Sequence, residues 1–155
     1  MTWDEVDFDA ATWVVPASRM KMGKEHAVPL SEQAVAILRA QEPERDKNPD
    51  IFAGRPQRPL SGMAMSVLLR RMNVGATVHG MRSSARSWMA DNGVEFELAE
   101  ACLAHAVGNA VVQAYQRSSM IERRRPIMQA WADFLSEQTA AKVVSIGSRR
   151  ERGPG

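Results

Sequence analysis

The sequence holds one cysteine, one tyrosine and three histidines, and aromatic residues make up only 6% of it. A single thiol, Cys102, excludes an internal disulfide and fits a reducing compartment. No apolar run approaches the ~20 residues that a helix needs to cross a bilayer, so a membrane-spanning helix is not expected. The opening Met1-Thr2-Trp3-Asp4-Glu5 is acidic where a secretory signal would be basic. There are no internal repeats. An excess of one charge sign is also lacking: 20 Lys and Arg stand against 18 Asp and Glu, a net of +2. Residues 142–155 carry four basic groups and one acid, so the rest of the chain nets −1. The isoelectric point of about 9.0 is therefore largely a tail effect. Bulk charge does not argue for nucleic-acid binding; local clusters would have to.

What is present is the composition of one globular domain: 155 residues, 45% hydrophobic and 25% charged. Residues 3–28 read as a small antiparallel sheet. Trp3, Val6 and Phe8 form an imperfect alternation, and Thr12-Trp13-Val14-Val15 has strand content before Pro16. Residues 18–21 and 25–28 are expected to pair around Met22-Gly23-Lys24. Ser31 is placed to cap a helix reaching about residue 41. Ile51-Phe52 reads as a short buried strand. Ser61 is placed to cap a helix bearing Met65, Leu68, Leu69 and Met72, and Thr77 one that stops at Gly93. Further short helices are expected over 95–104 and 109–117. Ile127, Trp131, Phe134 and Leu135 give the last helix an apolar face, with Pro126 near its first turn or kinking it. Trp88 and Trp131 fall on apolar helix faces and read as core. From about residue 142 the hydrophobic pattern fades into a basic tail expected to be mobile. The fold class is α+β: a mainly helical body with a small N-terminal antiparallel sheet.

Four segments carry the candidate chemistry. They are Arg19-Met20-Lys21 through Ser31, then Thr77 to Arg82, then Leu103-Ala104-His105, and Ala114-Tyr115-Gln116-Arg117. His79 and Arg82 are three apart at an expected helix start, where free amides favour an anion. A guanidinium grips two phosphate oxygens with a planar fork, and an imidazole beside it donates a hydrogen bond or moves a proton. Each feature alone has a plainer reading: a capped helix with a surface Arg, a structural His105, an amphipathic Tyr115, solvated Lys21 and Lys24. Arg117 and Arg123-Arg124-Arg125, with Glu122, make residues 117–125 net +3. That cluster suits backbone phosphates, or else a solvated, internally paired helix face.

Taken together, these segments resemble the catalytic domain of the tyrosine recombinases, specifically phage and prophage integrases. The resemblance runs from Trp3 to Leu135. Its most specific parts are Arg19-Met20-Lys21 with His26-Ala27-Val28-Pro29-Leu30-Ser31, and Val78-His79-Gly80-Met81-Arg82-Ser83-Ser84. The block Leu103-Ala104-His105-Ala106-Val107-Gly108-Asn109 to Arg117 is equally specific. It continues through Glu122-Arg123-Arg124-Arg125-Pro126 and Met128-Gln129-Ala130-Trp131.

The resemblance implies site-specific recombination of double-stranded DNA through a 3′-phosphotyrosyl intermediate. Tyr115 matches the nucleophile, Arg82 the second catalytic arginine, and His79 a proton-transfer group. His105 matches a ligand of the scissile phosphate, and Lys21 the hairpin lysine that protonates the leaving oxygen, with Lys24 in reserve. Arg117, Arg123, Arg124, Arg125 and Lys24 are the expected DNA contacts. The resemblance implies no metal and no cofactor, a tetramer on DNA in the full-length enzyme, and a cytoplasmic, DNA-associated location without membrane. Residues 1–141 are expected to form a partial catalytic domain and 142–155 a disordered tail.

No residue matches the family's first catalytic arginine, and its separate N-terminal DNA-binding domain has no counterpart in this sequence. Losing one charge-stabilising donor costs about 10²–10³ in rate, so the isolated chain is expected to cleave DNA poorly or not at all. The alternative is an inactive remnant that only binds DNA or another protein. A metalloprotein using His26, His79, His105 and Cys102 is disfavoured, because their spacing matches no standard site.

Overall fold

The computed structural model describes residues 1–55, 58–105 and 119–141. The expected helix over 109–117, Tyr115, Arg117 and the tail from residue 142 lie outside the described residues.

The sheet has three strands in the order β1 (Val6–Asp7), β2 (Thr12–Val15), β3 (His26–Pro29), all antiparallel. Val6 faces Trp13, and Val15 faces His26. Two local expectations are corrected. Trp3–Glu5 is a 3-10 turn rather than a strand start, its capping box closing between Thr2 and Glu5. Residues 17–19 are also a 3-10 turn, and β3 pairs with β2 instead of with 18–21. Pro16 explains the break: it has no amide to donate to a ladder, and the chain turns directly after it. Gly23 takes φ +60° on the way back to β3, a conformation natural to glycine.

Five helices are described. Helix α1 (Glu32–Arg39) starts where Ser31 Oγ accepts from the Ala34 amide at 3.2 Å. Helix α2 (Ala64–Arg71) has Met63 as its N-cap rather than Ser61, which supplies only the carbonyl that Ala64 N–H bonds. Its apolar spacing is helical as expected, yet Met65, Leu68 and Met72 are exposed. Helix α3 (Val78–Asp91) is capped by Thr77, whose Oγ1 accepts from the Gly80 amide at 2.9 Å, and it ends near Gly93 at φ +69°. Helix α4 (Phe96–Cys102) follows, and α5 (Ser119–Ala141) carries Pro126 inside it. The expected strand at Ile51-Phe52 is a bend. Two short strands come just after it, β4 (Ala53–Arg55) and β5 (Arg58–Pro59).

Trp3, Val6, Leu38 and Ile51 form a buried cluster, with Phe8, Trp13 and Leu30 packed against it. It joins the sheet to α1 because each element presents one apolar side inward. The indole N–H of Trp3 donates to the Asn48 carbonyl at 3.1 Å, so the ring is buried without an orphaned donor. A second cluster joins α3 to α5: Trp88 and Trp131 have ring centroids 5.3 Å apart, and Phe134 lies 5.6 Å from Trp131. Both tryptophans are thus packing residues. Helix α4 packs on α3 and α5, and α5 also packs on β3. Long helix α5 is the element that ties the sheet to α1, α3 and α4.

Candidate active site

His79 and Arg82 lie in the first two turns of α3, where Thr77 fixes the helix start. Both are exposed. The Arg82 guanidinium donates through Nη2 to the carbonyl of Leu103. That contact reaches from α3 to the turn after α4 and stops two residues short of His105. The turn itself is tight. Ala104 sits at φ +55°, a left-handed conformation costing a non-glycine residue about 1–2 kcal/mol.

Glu100 is the side chain that composition and motif reading missed. Its Oε1 accepts from Arg86 Nε at 2.6 Å, and its Oε2 lies 2.5 Å from His105 Nδ1. Hydrogen bonds from Arg86, and then from His105, hold its carboxyl below the ordinary carboxylate range against the opposing pull of burial. The available signal was faint: Arg86 lies one helical turn after Arg82, and Glu100 one turn before the His105 segment. Neither spacing reveals that α3 and α4 meet there.

Lys21 and Lys24 lie exposed on the turn between Arg19 and β3, on a separate element from Arg82 and His105. The base of that turn is anchored, because Arg19 Nη2 pairs with Glu5 Oε2. Burial pulls Glu5 upward. Hydrogen bonds from the Thr2 amide, Trp13 and Arg19 outweigh it and bring its pKa down to about 2.

The three consecutive arginines of α5 have three different fates. Arg123 is exposed and pairs with Glu95 at 2.8 Å. Arg125 holds Glu122 through two contacts of 3.1 Å and donates to the Ala11 carbonyl at 3.2 Å. Arg124 is 5% exposed. Its guanidinium donates to the carbonyls of Ala27 at 2.6 Å, Ala101 at 3.1 Å and Met120 at 3.3 Å. The expectation of a phosphate contact from Arg124 is therefore corrected: burial commits its donors to β3, α4 and α5.

His26 is half-buried, and burial followed by the charge of Arg124 lowers its pKa. Burial pushes the Cys102 thiol up. Among the described residues no three His, Cys, Asp or Glu side chains gather as metal ligands. An open cleft of about 580 Å³ lies between Phe8, Leu30, Val35, Arg39, Arg125 and Gln129, and none of Lys21, His79, Arg82 or His105 lines it. No described helix is long and apolar enough to cross a membrane.

The model for the phage integrase family matches residues 1–122. The chain belongs to the phage integrase family. Prophage integrase IntA of Escherichia coli is 40% identical over 146 residues, covering 92% of this chain and 35% of the relative. Prophage integrase IntS of the same species is 31% identical over 143 residues, covering 89% and 37%. The integrase of Shigella phage Sf6 is 30% identical over 143 residues, again covering 89% and 37%. The chain thus spans little more than a third of the length of these relatives. No solved structure matches it significantly. As a phage integrase relative it is a tyrosine recombinase by family, and the mainly helical body with a three-stranded antiparallel sheet is the architecture expected of it.

Proposed function

We propose that this chain is the DNA strand-transfer part of a site-specific recombinase, acting on double-stranded DNA. The Tyr115 phenolic oxygen attacks a backbone phosphorus, forming a P–O bond to the tyrosine and breaking the bond to the 5′-oxygen. The product is a 3′-phosphotyrosyl link and a free 5′-hydroxyl. Attack by a 5′-hydroxyl on that link reverses the step, and the conserved phosphoester removes any need for ATP. Negative charge grows on the non-bridging oxygens, so fixed cationic donors aimed there lower the barrier. Arg82 and His105 take that role, and His79 shuttles a proton. Lys21, or Lys24 in its place, protonates the leaving oxygen. Arg123, Arg125, Lys24 and Arg117 contact flanking phosphates. As in a tetramer on DNA, several copies would act together.

The observation that carries this reading is the tie from Arg82 to the turn holding His105. It supports a shared phosphate site, because two segments 21 residues apart reach one another through a side chain the chemistry needs. A second reading, a module that binds DNA without cutting it, is favoured by Arg82 already giving a guanidinium donor to the Leu103 carbonyl.

One experiment separates the two. A nicked duplex is offered to the 155-residue chain, and to the same chain joined to an upstream segment carrying the family's first catalytic arginine. The nick releases a short fragment, so slow covalent capture accumulates. Capture in the joined protein, lost on Tyr115→Phe while DNA binding persists, supports strand transfer. Binding without capture in both proteins supports the second reading.

A further inference from the structure

The side chain of Glu100 is 15% exposed, whereas that of His105 remains 48% exposed. The two carboxylate oxygens are divided between partners: Arg86 Nε at 2.6 Å and His105 Nδ1 at 2.5 Å. An ionised carboxylate only accepts, so the imidazole nitrogen facing it carries a proton. The main chain repeats the link, the His105 amide donating to the Glu100 carbonyl at 2.9 Å. Arg86 is braced in turn, its guanidinium lying 5.3 Å from the centre of the Phe96 ring. The chain of contacts from Phe96 through Arg86 and Glu100 ends on Nδ1 of the His105 ring, and among the described residues nothing is hydrogen-bonded to Nε2.

A carboxylate behind a histidine fixes the tautomer and the ring orientation, and removing such a support costs 10–100-fold at metal sites, where the effect is best known. The same arrangement serves an anion. To donate to a phosphate oxygen while Nδ1–H stays on Glu100, Nε2 must also take a proton, which solvent supplies. The charges facing the ring region are Glu100 and Arg86, with Arg82 held at the Leu103 carbonyl. Among the described residues, Glu100 is the carboxylate paired with the imidazole.

We propose that Glu100 is a positioning residue: it holds His105 by Nδ1–H and so dedicates Nε2 to a non-bridging oxygen of a DNA phosphate. This rests on the reading of His105 as a phosphate ligand given above. Arg86 keeps the carboxylate in place.

The test is the ¹⁵N spectrum of the histidine side chains in the 155-residue chain at about pH 8, above the ordinary histidine range, free and with duplex DNA. In the free protein the His105 proton is expected on Nδ1 with Nε2 bare. Added DNA is expected to shift the Nε2 resonance toward the protonated type and leave Nδ1 protonated. Glu100→Gln is expected to lose the single Nδ1–H form and most of the DNA-induced shift at Nε2, with helix content unchanged. A proton found on Nε2 with Nδ1 bare in the free wild-type chain overturns the proposal, even if the variant does not fold. So does a Glu100→Gln spectrum identical to the wild type. DNA that binds but leaves Nε2 unmoved overturns His105 as a phosphate ligand, while the Glu100 contact stands by itself.

Discussion

Arg82 and Leu103 are joined by a hydrogen bond from guanidinium to backbone carbonyl, so a catalytic candidate on α3 also holds the turn that presents His105. One guanidinium has five N–H donors, and this contact uses one of them. The rest of the fork can face a phosphate. The two duties make different predictions for the same residue.

Arg82→Lys keeps the charge and loses the fork. The expected result is a fall in covalent capture of about 10²–10³, from losing a donor to the developing charge. Unfolding in urea should show a loss of only about 1 kcal/mol, the net value of an ordinary hydrogen bond. A capture loss no larger than the stability loss would remove Arg82 from the chemistry.

Arg124 and Arg123 are neighbours with opposite roles. Arg124→Ala removes the donor shared by the carbonyls of Ala27, Ala101 and Met120 and is expected to destabilise the fold by roughly 2–4 kcal/mol. Arg123→Ala breaks only an exposed pair and is expected to cost under about 0.5 kcal/mol. If Arg123 meets a phosphate, its loss should flatten the slope of log affinity against log salt by about 0.9. Urea melts and DNA titrations at several salt concentrations check both. Equal stability losses would contradict the assignment of Arg124 as a clamp.

Glu5 should govern part of the acid sensitivity. Its pKa falls from the ordinary 4.5 to about 2 in the fold. The ionised form therefore stabilises the protein above about pH 4.5, and that contribution drains away as pH falls toward 2. After allowance for solvent screening it is on the order of 2 kcal/mol. Glu5→Gln should be less stable at neutral pH and show a flatter loss of stability on acidification. Parallel curves for the two proteins would rule out Glu5 as the titrating group.

Much of the fold was legible because its signals are local. Ser31, Thr77 and Gly93 act within one turn of themselves, and each marks the boundary it announced. The pairing of β3 was less legible: a turn at Gly23 suits either partner, and the geometry after Pro16 decides for β2. Arg124 was misread because a run of three arginines looks alike in sequence. Only the docking of α5 on β3 and α4 buries the middle one. Glu100 was missed for the same reason, since its partners Arg86 and His105 lie on separate elements. Ser61 failed as a cap because the N-cap position falls two residues later, at Met63. The sequence resemblance set side by side segments that no local rule connects, and of these the structure joins two, through the Arg82 contact with Leu103.

The central claim concerns one oxygen atom, and the attachment point of captured DNA tests it most directly. The chain joined to an upstream arginine-bearing segment is incubated with a nicked duplex, digested with protease and nuclease, and the nucleotide-bearing peptide is sequenced by mass spectrometry. The account predicts a 3′-phosphate ester on Tyr115, in the peptide that includes Ala114-Tyr115-Gln116-Arg117. A nucleotide carried by any other side chain, or capture that persists after Tyr115→Phe, would contradict it.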